Sequence, residues 1–567
     1  MNRTARAGDK PRPAGLVVGA EGRKAWATDV TAPGNPHALV VGAPGSGKTR
    51  RIILTTLYVI GSHKESVVCT DPKGELHAHT AAWFRARGYR VVVLDLLRPA
   101  RGARWNPFSA VTKALAQGDG EEAAKSAWDF ANVLAFAELG LGSDPIWPQA
   151  EESLIAALTL ATCLEAPSEA RHPATAYRLL SELGPADAEG VSALDEFMTG
   201  LGSEHPARRA YGTVALSESR TRASILTGSA AHLRLWGEPG IAWLCSGDEH
   251  DPTRVGQEPT AVFLVTPDSG GARNALAALY LTQLYAALSI LASESGGRVP
   301  VPVWCLLDEF GTIPKIPDFP AKIAVARSRG IRFVLAIQAL AQLKRYGDGM
   351  NAILGSCDTW VYLSSNDLET ARAISDKLGT FTVQTSSRSM AMQSAGGKQT
   401  LSEAATARPL LTPEEVLRWP YGRALVLQAR QYPADLPLQD LSGWKSASTA
   451  FQPAPPPTPR PAEPVPTWVP TAGSAEESAP EATEAATATA DPLPDPSPAA
   501  DPEPLASDEA ADADGDTDDP TMTLTPPEAE PATGHQETPE PGPVTAQVPE
   551  PGRFGRSRGV GRGPREE

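Results

Sequence analysis

Apolar residues in the first hundred positions come in short unbroken runs. "HALVVG" at 37–42, "ESVVCT" at 65–70 and "YRVVVL" at 89–94 each end abruptly at a glycine or just before an acid. Between them apolar positions recur with helical spacing, as in "RRIILTTLYVI" at 50–60. A strand buried on both faces has no wet side and so shows no alternation. Such strands separated by helices predict an α/β fold with a mostly parallel sheet covered on both faces.

The pattern changes near Val111. For roughly a hundred residues only helical patterns appear, among them "EEAAKSAWDFANVLAFAELG" at 121–140, "IWPQAEESLIAALTLATCL" at 146–164 and "ATAYRLLSELG" at 174–184. Strand-like runs return with "TAVFLVTPD" at 260–268, "VPVWCLLDE" at 301–309, "IRFVLAIQ" at 331–338, "TWVYLSS" at 359–365 and "RALVLQA" at 423–429. This predicts a polar lead (1–30), an α/β body built from 31–110 and 215–440, an all-helical insertion (111–214) and a C-terminal tail (441–567). The longest apolar run, Ala275–Ala292, is about long enough to span a bilayer. Thr282, Gln283 and Ser289 interrupt it and a strand pattern precedes it, so it is expected to be a buried helix of the body.

The tail changes the meaning of the net charge. The chain carries −16 overall, but residues 451–567 hold 23 acids against 6 bases, which leaves residues 1–450 at +1. The acidity therefore does not exclude a polyanionic partner for the body. The tail also holds 26 of the 54 prolines and few large apolar residues, so it is expected to be disordered. Five cysteines lie singly with no C-x-x-C pair and are expected as free core thiols in a reducing compartment. The histidines show no metal-ligand spacing, and His77 and His79 are expected at the surface. The basic start "MNRTARAGDKPRPAG" has no apolar segment after it, so no signal peptide is expected.

The chemistry concentrates at the ends of strand patterns. "GAPGSGKT", Gly42–Thr49, fits G-x-x-x-x-G-K-[ST] between a strand and a helix. Gly42, Gly45 and Gly47 let the backbone curl so that successive N–H groups, including that of Ser46, cradle phosphate oxygens. Lys48 would reach the β and γ phosphates, the Thr49 hydroxyl would ligate Mg²⁺, and the helix dipole would add positive potential. Asp308 and Glu309 close the strand pattern "VPVWCLLDE". Asp308 suits a metal-holding carboxylate and Glu309 a group that polarises attacking water. Acids end many strands; the phosphate loop is what gives this pair its meaning. Gln338 ends the following strand, where an amide can sense the γ-phosphate or orient water. Arg327, Arg329 and Arg332 lie between Glu309 and Gln338, and the residues alone do not choose among them an arginine finger. "DPKGE", Asp71–Glu75, empties another strand towards the same edge. Gly74 suits a tight turn there and Glu75 a helix start.

In order and spacing these motifs resemble the TraG/TraD family of type IV coupling proteins over residues 36–430. The resemblance is carried by Gly42–Thr49, "DPKGE", "WNPF" at 105–108, "IWPQAEESLIAAL" at 146–158, "LLDEFGTIPKIPDF" at 306–319, "AIQALAQLKRYG" at 336–347 and "ARPLLTPEEV" at 407–416. It implies a RecA-like P-loop NTPase that forms a homo-hexamer, takes ATP and Mg²⁺, and delivers DNA or a relaxase–DNA complex to type IV secretion channel subunits. It also implies cargo recognition by the helical insertion, and it points to Arg327 as the finger. A protein-secretion ATPase of the same family without DNA cargo is the alternative. So is a non-hydrolysing adaptor, although the presence of both Asp308 and Glu309 argues against it. Family members begin with transmembrane helices, whereas no apolar segment precedes Gly42 here. A separate membrane-anchor subunit, a start further upstream or a soluble variant would each account for that; the expected location is cytoplasmic, peripheral at the inner face of the cell membrane.

Overall fold

Nine strands form one sheet, and their burial explains the unbroken apolar runs. In the computed structural model the described residues are 13–470, except 23, 138–145, 189, 269–270, 391–398, 454–456 and 461–462. A small hairpin comes first, with β1 (Val17–Glu21) antiparallel to β2 (Lys24–Ala27). The sheet is built from β3 (Ala38–Gly42), β4 (Ser66–Thr70), β5 (Arg90–Asp95), β6 (Thr260–Val265), β7 (Val303–Leu307), β8 (Ile331–Ile337) and β9 (Thr359–Ser364). After a second hairpin, β10 (Thr380–Met390) with β11 (Gln399–Pro409), it is completed by β12 (Arg423–Gln428) and β13 (Ala434–Pro437). Its order is β13-β12-β9-β3-β8-β7-β4-β6-β5. The seven strands from β9 to β5 are parallel to their neighbours, and β12 is antiparallel to both β9 and β13.

Every residue of β3, β4, β6, β7 and β8 is buried. Successive side chains enter different cores: Leu39, Val41 and Val68 belong to one apolar cluster, Ala38, Val40, Val67 and Cys69 to the other. The second cluster is closed by the helices Leu54–Ser62 and Glu75–Ala86. The first is closed by the long connection from β5 to β6, whose described regular elements are helical: the short 3-10 turn Pro99–Arg101, then helices from Ser109–Ala116 to Arg254–Gln257. Their starts carry ordinary helix signals: Asp119 accepts from the Glu122 N–H, Ser192 and Asp195 form a capping box, and Pro173, Pro206 and Pro239 occupy first positions. The helix Asn274–Glu294 lies in the same cluster, and 61% of its most apolar window is buried. Its apolar length is thus core surface of the body. All five cysteines are buried and free.

Two expected boundaries move. The lead contains β1 and β2, and Ala14, Leu16, Val17 and Val18 are fully or almost fully buried. The Val17 N–H donates to Thr56 Oγ1 at 3.1 Å, which ties the hairpin to the helix Leu54–Ser62. A five-residue run between charged flanks is too short to show a period. The tail expected from 441 begins later: its described residues up to 470 are docked on the body. Phe451 is 4% exposed and packs edge-on against Tyr58 and Trp83, with ring centroids 6.0 and 5.2 Å away. Further on, the Arg460 N–H donates to the Ala100 carbonyl at 2.8 Å, and its guanidinium pairs with Glu249 and lies over the Trp243 ring. His172 Nε2 donates to the Pro466 carbonyl, Arg178 donates to Thr467 Oγ1, and Trp468 meets Phe197 edge-on. A few anchors suffice to dock a segment whose average composition is that of disorder. The disorder expected for 471–567 lies outside the described residues.

Phe451→Ala is expected to lower the free energy of unfolding by about 3 kcal/mol. Urea titration of the full chain checks this; an unchanged midpoint would mean that the ring does not dock.

Candidate active site

Parallel strands put their C-terminal ends on one edge, so β3, β8, β7 and β4 deliver their following residues to one place. After β3 the chain curls through Gly45 (φ 76°) and Gly47 (φ 93°), left-handed conformations that a side chain would strain. Gly42 is required for space, because a Cβ there would sit 2.4 Å from Ser46 Oγ. The helix that follows opens with a wide π-type turn, Lys48–Ile53, before Leu54–Ser62. Ser46 Oγ is buried without a hydrogen-bond partner among the described residues, a group that a phosphate oxygen would satisfy.

The loop's side chains already meet the strand-end acids. Lys48 Nζ donates to the Gly42 carbonyl at 2.5 Å and stands 3.6 Å from Glu309 Oε1. Thr49 Oγ1 donates to Asp308 Oδ2 at 2.8 Å. Thr70, the last residue of β4, donates to the Asp308 carbonyl at 2.7 Å and fixes the turn after β7. Asp308 is 3% exposed; burial pushes its pKa up, while the Thr49 bond opposes the shift. Glu309 has φ 51°, uncommon for a residue with a side chain. Its Oε2 accepts from Gln338 Nε2 at 2.8 Å. Gln338 is held in turn, its N–H donating to Gln342 Oε1 at 2.8 Å.

Asp71 is 2% exposed and accepts from the Leu76 and His77 N–H groups at 3.1 and 2.8 Å. It therefore caps the helix that Glu75 begins, and Gly74 (φ 75°) makes the turn between them. Burial outweighs these two bonds and raises the Asp71 pKa to about 6. His77 is not at the surface as expected: it is buried against the Phe263 ring, and burial lowers its pKa to about 4. "DPKGE" and the phosphate loop line one cavity of about 360 Å³, together with Asp308 and Glu309. That is a volume suited to a small ligand.

The three arginines separate. Arg332 is 4% exposed and paired with Glu65 at 2.5 Å, with Trp304 Nε1 donating to the same oxygen at 2.6 Å. Arg329 donates to Tyr285 Oη at 2.5 Å. Arg327 is exposed at the end of the helix Phe319–Ala326. Its charge helps to hold the His37 pKa down to about 4, after the larger effect of burial. His37 immediately precedes β3, so Arg327 lies towards the edge opposite the phosphate loop and is not brought to Lys48 within this chain.

Four cavity residues, Arg50, Arg51, Tyr421 and Asp440, went unread in the sequence. Arg50 makes a bidentate pair with Asp440 at 2.9 and 3.0 Å, which holds the Asp440 carboxyl well below the usual range. Tyr421 lies over Arg51, 4.2 Å from ring centroid to guanidinium carbon. Asp440 and Tyr421 reach the cavity from nearly four hundred residues downstream, and no local pattern marks either.

The fold and loop define a RecA-like P-loop protein. The chain belongs to the Type IV secretory system Conjugative DNA transfer family, whose pattern matches residues 4–436. It is 27% identical over 412 residues to the conjugal transfer protein TraG of Escherichia coli, covering 68% of this chain and 62% of that protein. It is 24% identical over 396 residues to protein VirD4 of Rhizobium rhizogenes, covering 67% and 54%. The chain thus spans less than two thirds of the length of these relatives. Among solved structures it resembles plasmid coupling protein TrwB in complex with the non-hydrolysable ATP analogue ADPNP (TM-score 0.53, 16% identity, 76% of this chain and 90% of that one). TrwB in complex with ADP and Mg²⁺ gives a TM-score of 0.52 at 17% identity, covering 74% and 87%. At these identities the likeness shows the fold.

Asp71 binds its proton more tightly folded, at about 6, than unfolded. Its contribution to stability is therefore fully present below the unfolded carboxylate value and is lost as pH rises through about 6. Across that window the wild type should lose up to about 3 kcal/mol relative to Asp71→Asn. Urea titrations of the two nucleotide-free proteins check this, and a pH-independent difference would contradict it.

Proposed function

We propose that the protein is an ATP-hydrolysing coupling protein that delivers DNA or a relaxase–DNA complex to a type IV secretion channel. The observation that carries the enzymatic part is the joined constellation at the strand ends: Thr49 on Asp308 at 2.8 Å and Gln338 on Glu309 at 2.8 Å, with Lys48 between loop and acid. TrwB, which shares the fold, is known with an ATP analogue and with ADP and Mg²⁺. Relatives named for conjugal transfer support the cargo.

In this proposal the loop N–H groups of Gly45–Thr49 bind the phosphates. Thr49 and Asp308 would hold Mg²⁺, which would supply charge neutralisation to the phosphates. Lys48 leaves its 3.6 Å contact with Glu309 for phosphate oxygens. Glu309 is then free to take a proton from the attacking water, held in orientation by Gln338. Arg327, at the far edge of the sheet, serves a neighbouring subunit's site in a homo-hexameric ring. The body, 31–110 with 215–440, supplies the motor and 111–214 recognises cargo. The protein works at the inner face of the cell membrane with type IV secretion channel subunits.

Lys48→Ala is expected to abolish ATP binding and transfer. Glu309→Gln should bind ATP yet hydrolyse it about 10²–10⁴-fold more slowly; turnover at the wild-type rate would remove Glu309 from the base role. Arg327→Ala should lower turnover about 10³-fold. In rings mixed with Lys48→Ala subunits, activity should return only where an intact arginine faces an intact loop. Loss that ignores ring composition would make Arg327 structural. ATPase activity that DNA does not stimulate, in a hexameric preparation, would count against a DNA cargo.

A further inference from the structure

The cavity at the strand ends extends beyond the phosphate loop. Tyr421, in the turn before β12, lines it and is 73% exposed. Most of the ring is thus outside the core and accessible to a ligand in the cavity. One face lies over the Arg51 guanidinium, 4.2 Å from the centroid. Arg51 is fixed at its other end against the loop, because a Cβ on Gly47 would lie 2.9 Å from its Cδ. Its Nη1 is buried and has no hydrogen-bond partner among the described residues. A single arginine side chain therefore spans the distance from the phosphate loop to the ring. Gly422 follows with φ 83°, and a Cβ there would sit 3.4 Å from Arg51 Nη1, so the turn brings no side chain between the two.

Resting on the nucleotide-binding role proposed above, we propose that Tyr421 is the platform on which the nucleotide base stacks, with Arg51 backing the ring. A nucleotide has a charged end and a flat aromatic end, and the cavity offers N–H groups for one and a π face for the other. The charged neighbours Arg50 and Asp440 are committed to each other in a bidentate pair. They leave stacking, which needs no particular base edge, as the main contact. Tyr421 thus sets affinity for the nucleoside part and discriminates little between purines.

Isothermal titration of the full-length wild type, Tyr421→Ala and Tyr421→Phe with ATP, GTP and inorganic tripolyphosphate tests this. Tyr421→Ala is expected to weaken ATP and GTP about tenfold each, and Tyr421→Phe to stay within about twofold of wild type. Tripolyphosphate should bind all three proteins alike. Unchanged ATP affinity in Tyr421→Ala overturns the platform. So does a parallel loss of tripolyphosphate binding, which would place the effect on the phosphate loop. A wild type that binds neither ATP nor tripolyphosphate overturns the nucleotide-binding role itself.

Discussion

Parallel register between β3, β8 and β7 is the constraint on which the site depends. Val41 lies opposite Ile337, and Leu307 opposite Leu335. Gly42, Gln338 and the Asp308–Glu309 pair therefore leave the sheet at nearly one level, close enough for the side-chain bonds between them. Slipping a strand by one residue would turn each of its side chains to the opposite face. In β3 that would exchange Leu39 and Val41 for Ala38 and Val40 between two tightly filled cores. Burial on both faces is thus what keeps the strand-end groups in line; the polar site borrows its precision from the apolar interior.

What could be read in advance was whatever a few neighbouring residues encode. The glycines of the phosphate loop, the acids that end β7 and the amide that ends β8 each sit at a strand-to-loop junction, and a parallel sheet collects such junctions. Asp71 was legible as a strand end but not as a buried cap whose charge is penalised. The lead was missed because β1 is short and its burial depends on Thr56 and β13, both distant in sequence. The first part of the tail was missed because averaging over many prolines hides single anchors such as Phe451, Arg460 and Trp468. Tyr421 and Asp440 carry no local mark at all; only the neighbourhood of β12 with β9, and of β9 with β3, brings them to the loop. The same holds for Arg332, which resembles its neighbours Arg327 and Arg329 in sequence and differs from them only by lying inside β8 beside Glu65.

Position on the sheet also separates two kinds of work. The edge with the loop gathers Lys48, Thr49, Asp71, the two acids that follow β7 and Gln338. Arg327 and His37 belong to the other edge. A cation there can serve such a site only from a neighbouring copy arranged head to tail, and head-to-tail contacts that close make rings. In the proposed ring each subunit would carry half of two sites, so the chemistry of one copy would depend on the placement of the next.

The segment around Arg460–Trp468 has a mechanical consequence. It is fastened to the β5 side of the body through Ala100 and Glu249, and to the helical layer through His172, Arg178 and Phe197. The two regions already share one apolar core, and the segment adds polar and aromatic fasteners across it. Any swing of the helices away from the sheet must stretch the segment or strip off its charged and aromatic fasteners one at a time. Parting the helices from the sheet would have to open that core and break these fasteners as well.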